Sequence, residues 1–396
     1  MSPETVVICA AARTPIGKFM GGLESVSAVA LGETVTRAVL ERAGIDGSEV
    51  DQVFFGMARQ AGEGPNPARQ IGFNSGLPET TSAMTVNQAC ASGLRSITLA
   101  ADQLRLGSAK LVVAGGVETM SRNPFMLPNM RKGYRLGNAP LLDGNYADGF
   151  HCRLVDGPMG STAETLADKY EITRDEQDAF AVASQQKAGA AQEAGRFVDE
   201  IVPVTAKVRR KEVVVDTDEH LRPGTTVEGL AKLPAVFRKD GTVHAGNSSG
   251  ITDGAAAVLV TTAAVAKEKN LPIMASLRGH ALAGVDPKIM GIGPVPSTEK
   301  LLAATGQSLA DFDLIELNEA FAAQVIACDR EMNLDHDKLN VNGGSIALGH
   351  PIGCTGARIV VTLLHEMRRR GTQRGLASLC MSGGMGMALA MEAVDE

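Results

Sequence analysis

An internal echo limits what this chain can fold into. Residues 38–56, AVLERAGIDGSEVDQVFFG, and residues 300–318, KLLAATGQSLADFDLIELN, align with Gly44 on Gly306 and Asp51 on Asp313 at one common offset. Each stretch reads as the end of an amphipathic helix, a glycine stop, a short acidic linker and a β-rich run. Further on, KLVVAGGVETMS (110–121) and GLASLCMSGGMG (375–386) share an apolar run that enters a Gly-rich turn. A repeated helix–strand unit of this kind predicts an α/β fold of two similar halves.

The first half is expected to hold strand 5–11, helix 27–43, strands 51–57 and 82–87, helix 91–106 and strand 110–115. The second begins near 273–284 and repeats the plan with helix 297–305, strands 312–318 and 338–342, helix 352–370 and strand 375–381. KLVVAGG and LIEL lack alternation, which predicts strands buried on both faces. Residues 122–244 echo neither half. Their first part is rich in Asn, Pro and Gly, a loop composition. Thr173 with Glu176 three residues on then forms a capping box that opens a helix over 173–197. Residues 246–262 return to a buried strand. The expected division is therefore 1–121 with 245–270, an inserted domain at 122–244, and 271–396. An insertion this long points to function.

Composition removes several classes. The net charge is −7 and no domain is basic, so nucleic acid is not an expected partner. No apolar run is long enough to span a bilayer. The six cysteines form no CxxC pair and no Cys/His zinc spacing, so neither a metal site nor a disulfide framework is expected. Reduced thiols suit an intracellular compartment, and the expected location is cytoplasmic. The N-terminal MSPETVVICAA reads as a first strand rather than a signal peptide, and the C-terminal MEAVDE carries no peroxisomal address.

Four stretches could carry chemistry. In NQACASGLRS, Cys90 sits at the turn into helix 91–106, where a helix start lowers a thiol pKa. Alone, this stretch leaves an inert core thiol and a nucleophile both open. In NVNGGSIALGHPIGCTGAR, His350 occupies the matching turn of the second half and suits a general base. If the halves pack about a pseudo-twofold axis, the two turns converge. In SLCMSGGMG, Cys380 ends a strand and enters a turn with free backbone N–H groups, which could serve an oxyanion. In ELNEAFAAQ, Asn318 ends another strand, on the sheet edge where α/β folds bind ligands. It could hold a water, orient His350, or simply cap a helix. The Gly-rich turns lack the spacings of dinucleotide and P-loop motifs.

Together NQACASGLRS, NEAF, GGSIALGHPIGCTGAR and CMSGGMG closely resemble the thiolase family of coenzyme A-dependent acyltransferases, over nearly the whole chain from ARTPIGKF onward. The resemblance implies the duplicated, five-layered α-β-α-β-α thiolase fold, with 122–244 as the CoA-binding loop domain. It implies thiolytic cleavage of a 3-oxoacyl-CoA to acetyl-CoA and a shortened acyl-CoA, or the reverse Claisen condensation, through an acyl group on Cys90. By the same resemblance His350 deprotonates Cys90 and then joins a water on Asn318 as an oxyanion hole. Cys380 is the acid for the departing carbanion. The backbone N–H groups of Cys90 and Ser382 form the second hole. AKLPAVF and HAGNSSG match pantetheine segments and implicate Phe237, Ala245 and Ser249. Arg222 takes the place of a basic residue near the nucleotide end of CoA, Ala320 and Phe321 line the thioester end, and Met159 is a further substrate- or CoA-binding position.

No permanent cofactor is implied; CoA and acyl-CoA thioesters are the substrates and partners. A homodimer or homotetramer with loop 123–146 as a contact is implied, as is a role in fatty acid metabolism and β-oxidation.

The chemistry agrees with these roles. C–C cleavage beside a thioester needs one thiol as nucleophile and another that stays protonated.

Two departures stand out. Pro158-Met159 replaces the His-Met usual in short-chain acetoacetyl-CoA thiolases, which leaves room for longer acyl chains. Ser382 replaces a glycine and would be strained if the site required a positive φ. Three other readings are an acetoacetyl-CoA-specific biosynthetic acetyltransferase, a decarboxylating ketoacyl synthase and an inactive CoA-binding protein. A thiol at 380 argues against the synthase, and the full set of catalytic residue types argues against the inactive protein.

Overall fold

The computed structural model describes residues 1–394, and in it the sequence repeat becomes a pseudo-symmetric pair of halves. The first half supplies β1 (Val6–Arg13), β2 (Gln52–Gly56), β3 (Ser82–Val86), β4 (Leu111–Thr119) and β5 (Thr252–Thr262). Their order is β1-β5-β4-β2-β3, antiparallel from β1 to β4 and parallel from β4 to β3. The second half supplies β6 (Ala275–Gly284), β7 (Leu314–Leu317), β8 (Arg374–Met381) and β9 (Met385–Glu392). Its order β6-β9-β8-β7 repeats the same sense of pairing. The halves join where β1 and β6 pair antiparallel at Val7–Ser276 and Ile8–Ala275.

Side-chain alternation builds the layers. The helices are α1 (Ala28–Ala43), α2 (Pro67–Asn74), α3 (Ser92–Arg105), α4 (Met159–Lys169), α5 (Arg174–Glu193), α6 (Pro294–Thr305), α7 (Ala322–Met332) and α8 (Ile352–Arg370). Ile8, Val112, Val258, Leu379 and Leu389 turn inward onto Leu94 and Ile97 of α3 and Ile359 and Val360 of α8. Their neighbours Val7, Val113 and Leu259 turn outward onto Leu31, Val35 and Val39 of α1. In the other half, Leu376, Ala388 and Ala390 face Leu301 of α6 and Val325 of α7. The result is the expected five-layered α-β-α-β-α thiolase fold, with strands buried on both faces.

The aligned residues do the same work in each half. Gly44 and Gly306 end α1 and α6 in the left-handed region, at φ 67 and 68. Asp51 Oδ2 accepts from the N–H groups of Lys110 and Leu111 at 2.7 and 3.0 Å, fixing the start of β4. Asp313 Oδ2 accepts from Gln373 and Arg374, both at 2.9 Å, at the start of β8.

One expected element is absent. Residues 338–342 are a loop with a single bridge from Leu339 to Ile315. Asn340, at φ 43, folds its amide back onto β7. Its Oδ1 accepts from Leu317 N at 2.9 Å and its Nδ2 donates to Leu317 O at 2.8 Å. That side chain takes the backbone groups a neighbouring strand would use. The capping box of Thr173 and Glu176 opens α5 as expected, although the helix ends at Glu193 rather than at 197.

Helices α3 and α8 cross at backbone contact. A Cβ on Gly356 would lie 2.5 Å from Leu94 N, and one on Gly93 2.8 Å from Ala357 N. This contact brings the turns before the two helices together. Residues of 122–244 are tied to β1 by a buried cluster in which Arg13 pairs with Glu200 at 2.6 Å and Asp218 at 2.7 Å. Among the described residues no helix is long and apolar enough to cross a membrane.

Candidate active site

Cys90 lies in the β3–α3 turn, held by short-range polar contacts. Asn87 Oδ1 accepts from Ala89 N at 3.1 Å, and Ser92 Oγ accepts from Gln88 N at 2.9 Å and donates to Ala89 O at 2.6 Å. Ala89 is forced to φ 48, a strained value for a residue with a Cβ. The turn presents the half-buried Cys90 sulfur to its own N–H and to the N–H of Ser382. The expected lowering of its pKa does not occur. Burial pushes the Cys90 thiol up, and the Ser382 N–H and the Arg59 charge only partly oppose it. Removing a thiolate from water outweighs the dipole of one helix start.

His350 occupies the matching turn before α8. Thr355 Oγ1 donates its proton to Pro351 O at 3.0 Å, so at the 2.6 Å contact with His350 Nδ1 it acts as acceptor. The hydrogen-bond network therefore places the imidazole proton on Nδ1. Nε2 keeps its lone pair and has no partner within the protein. Burial, then the charges of Arg358 and Arg59, lower the His350 pKa to about 3. The ring is a neutral base at physiological pH.

Asn318 follows β7 and is oriented from behind. Ser345 Oγ donates to Asn318 Oδ1 at 2.6 Å, Arg358 donates to Ser345 Oγ at 3.2 Å, and Glu316 pairs with Arg358 at 3.4 Å. With its oxygen engaged, Asn318 leaves Nδ2 buried and without a partner. Cys380, on β8, is fully buried, and its thiol is pushed well up by burial and by the nearby Cys90 and Cys328. Ser382 is not among the residues with positive φ, so it sits there without strain; Gly383 and Gly384 take the left-handed values instead, 89 and 84.

Cys90, His350 and Ser382 open onto a cavity of about 200 Å³, which Met159, Ser249, Ala320 and Phe321 also line. That volume is below the range of pockets that enclose whole drug-sized ligands, so it admits the reacting end of a larger molecule. Among the described residues no cluster of His, Cys, Asp and Glu could hold a metal ion.

Comparison with known proteins decides the family. The model for the thiolase N-terminal domain matches residues 6–264 and that for the C-terminal domain matches 271–393. The chain belongs to the thiolase family. An acetyl-CoA acetyltransferase from Pseudomonas aeruginosa is 53% identical over 389 residues, covering 98% of this chain and 99% of the relative. The crystal structure of the Bacillus anthracis acetyl-CoA acetyltransferase superposes with a TM-score of 0.97 at 48% identity, covering 98% of this chain and 99% of that one. Human mitochondrial 3-ketoacyl-CoA thiolase in complex with CoA superposes with a TM-score of 0.95 at 42% identity, covering 100% and 99%.

This thiolase is thus a CoA-dependent acyltransferase. Of its sequence-predicted residues, Cys380 and Asn318 are buried and are not among the residues that line the cavity. Phe237 packs edge-on against Phe321, with ring centroids 6.1 Å apart. Arg222 and Ala245 are exposed and away from the cavity lining. Pro158 is the residue before α4, at φ −67, an angle that proline fixes by itself. Sequence reasoning missed Arg59, Asn87, Phe150 and Met290, which also line the cavity. The available signal for Arg59 was its place just beyond the carboxyl end of β2, the edge that carries the other site residues.

Proposed function

We propose that this thiolase cleaves 3-oxoacyl-CoA, and runs the reverse condensation, with Cys90 as nucleophile, His350 as base and Cys380 as acid. The observation that carries the reading is the pair of buried, unpartnered polar atoms, His350 Nε2 and Asn318 Nδ2, set beside two thiols in different environments. His350 Nε2 takes the Cys90 proton, and the sulfur attacks C3 of the substrate. The oxygen on C3 gains charge beside the N–H groups of Cys90 and Ser382, which already surround the sulfur. The C2–C3 bond breaks and the electron pair passes to the thioester enolate. Its oxygen is held by protonated His350 and by a water on Asn318. Cys380, kept protonated by burial, gives its proton to C2, and acetyl-CoA leaves. The CoA thiol then gives its proton to Cys380, its sulfur takes the acyl group from Cys90, and the released Cys90 sulfur regains its proton from His350. Each oxyanion donor is worth about 2.7–4 kcal/mol of barrier in comparable sites.

The segment 122–244 supplies the CoA-holding surface in this reading, with Met159, Phe237 and Ser249 near the thioester end and Arg222 toward the nucleotide. The work is expected in the cytoplasm, in fatty acid metabolism, by a dimer or tetramer.

Labelled acyl-CoA tests the roles. Cys90→Ser is expected to abolish acyl-enzyme formation. Cys380→Ser is expected to accept the label on Cys90 while slowing thiolysis at least about a hundredfold. Label recovered on Cys380 would reverse the assignment. Loss of acetoacetyl-CoA absorbance with added CoA, followed by longer 3-oxoacyl chains, sets the chain length that Pro158 permits.

A further inference from the structure

Glu118 is fully buried near the end of β4, and no step above uses it. Its carboxylate collects three backbone N–H groups from two other segments. Oε1 accepts from Arg59 at 3.1 Å, and Oε2 accepts from Ala58 at 3.1 Å and from Gly353 at 2.9 Å. Ala58 and Arg59 lie just past β2 in the first half, whereas Gly353 lies in the first turn of α8 in the second.

Helix α8 does not cap itself at this point. Pro351 stands at its N-cap position and offers no side-chain hydrogen bond. The N–H groups of Cys354 and Thr355 return to Pro351 O, both at 2.9 Å, and the Gly353 N–H is taken by Glu118. A buried donor at a helix start is costly without such a partner. The backbones pack directly on one another around the bond. A Cβ on Gly116 would lie 2.3 Å from Gly353 O, and one on Gly353 2.7 Å from Met57 Cα.

This first turn also carries the support of the base. Thr355 Oγ1 meets His350 Nδ1 at 2.6 Å, and the His350 N–H donates to Gly250 O at 3.0 Å. A displaced turn takes Thr355 with it and swings the imidazole on its backbone anchor. Charge pairing is the other use for a carboxylate here, since Glu118 faces the Arg59 guanidinium. Asp143 and Asp148 face that guanidinium too, and Phe150 and Gly149 cover it. Among the described residues both Glu118 oxygens bond backbone N–H groups and neither bonds the guanidinium.

We propose that Glu118 is a positioning residue for the reaction: reaching from β4 to the first turn of α8, it holds the His350 imidazole in place for Cys90 across the two halves. This rests on the thiolysis reading, in which His350 takes the Cys90 proton.

Two variants separate reach from charge. Glu118→Asp keeps the charge and falls one carbon short of Gly353. Glu118→Gln keeps the length, and its oxygen can still accept from Ala58 and Gly353 while the Arg59 N–H loses its acceptor. Thiolysis of acetoacetyl-CoA and longer 3-oxoacyl-CoAs is read at about pH 8.5, above the value of about 7 to which burial lifts the carboxyl. Glu118→Asp is expected to lose about ten- to a hundredfold in kcat, with KM within about threefold of the wild type. Glu118→Gln is expected to lose less than about tenfold. Deuterium uptake at 351–355 is expected to rise in Glu118→Asp while uptake at 362–370 stays as in the wild type. The reverse order, with Glu118→Gln the slower variant, overturns the proposal and makes Glu118 the counter-charge of Arg59. So does wild-type kcat in Glu118→Asp, or a loss of kcat there with no rise in uptake at 351–355. Should Glu118→Asp not fold, Glu118→Gln alone decides, and a loss of about tenfold or more counts against. No turnover of any 3-oxoacyl-CoA by the wild type sinks the thiolysis reading itself, whereas an active wild type with an unimpaired Glu118→Asp sinks only the role of Glu118.

Discussion

At the residue scale the two thiols proposed for catalysis, Cys90 and Cys380, differ in their assigned use, not in their resting charge. Burial raises both, and His350 is a base only because burial and two arginines keep it uncharged. The free enzyme therefore holds a thiol and a neutral imidazole rather than an ion pair. Alkylation of Cys90 by iodoacetamide should be slow at neutral pH and should climb through and beyond the ordinary thiol value of 9.0. A plateau of fast alkylation below neutrality would show a preformed thiolate. The motif around Cys90 was legible as a helix-start cysteine, but its titration was not, because desolvation depends on residues that arrive from β8 and α8. Ser382 shows the reverse: the worry about strain vanishes once the following two glycines are seen to carry the left-handed turn.

At the element scale the crossing of α3 and α8 decides the site. Gly356→Ala places a methyl where Leu94 N already stands at 2.5 Å. The overpacking is expected to cost about 1–3 kcal/mol of stability and to lower kcat by more than the folded fraction explains. Urea midpoints read beside thiolysis rates check this; activity unchanged per folded molecule would mean that the two turns are placed by something else. The far end of α8 carries a separate prediction. Burial raises the Glu366 carboxyl, but Arg369, Asn342 and Arg370 overcome it and hold its pKa at about 2. A lowered folded pKa stabilises above the ordinary value of 4.5 and is lost as pH falls toward 2. Glu366→Gln should therefore lose about 1–2 kcal/mol at neutral pH, reduced by solvent at its partly exposed arginine partners, and the deficit should close in acid. Thermal melts across that range read it directly.

At the scale of the whole molecule, the loop after β4 leaves large apolar side chains in water. Leu136 is 99% exposed, and Phe125, Met130, Leu141 and Tyr146 are each more than half exposed. Scattered apolar residues are ordinary on a surface, but five within one loop suit a contact between subunits. Leu136→Asp with Leu141→Asp is expected to lower the sedimenting mass relative to the wild type. An unchanged mass would place the contact elsewhere.

The repeat was legible because each copy needs the same local devices. A glycine must end α1 and α6, and an aspartate must hold the starts of β4 and β8, so these residues survive in register. The four site motifs were legible for a related reason: each lies where a strand ends and the chain turns. Strand 338–342 was misread because Asn340 replaces ladder bonds with its own side chain, which leaves no trace in apolar patterning. Arg59 went unnoticed because a lone arginine in a loop reads as solvated until Phe150 and Gly149, far along the chain, cover it. Local backbone requirements are written into short stretches, so the duplicated fold and the candidate reacting groups could be read from the sequence. Burial and charge at a site sum over residues distant in the chain, so only the tertiary structure decided which thiol is deep, which imidazole nitrogen is free, and which arginine is buried at the cavity.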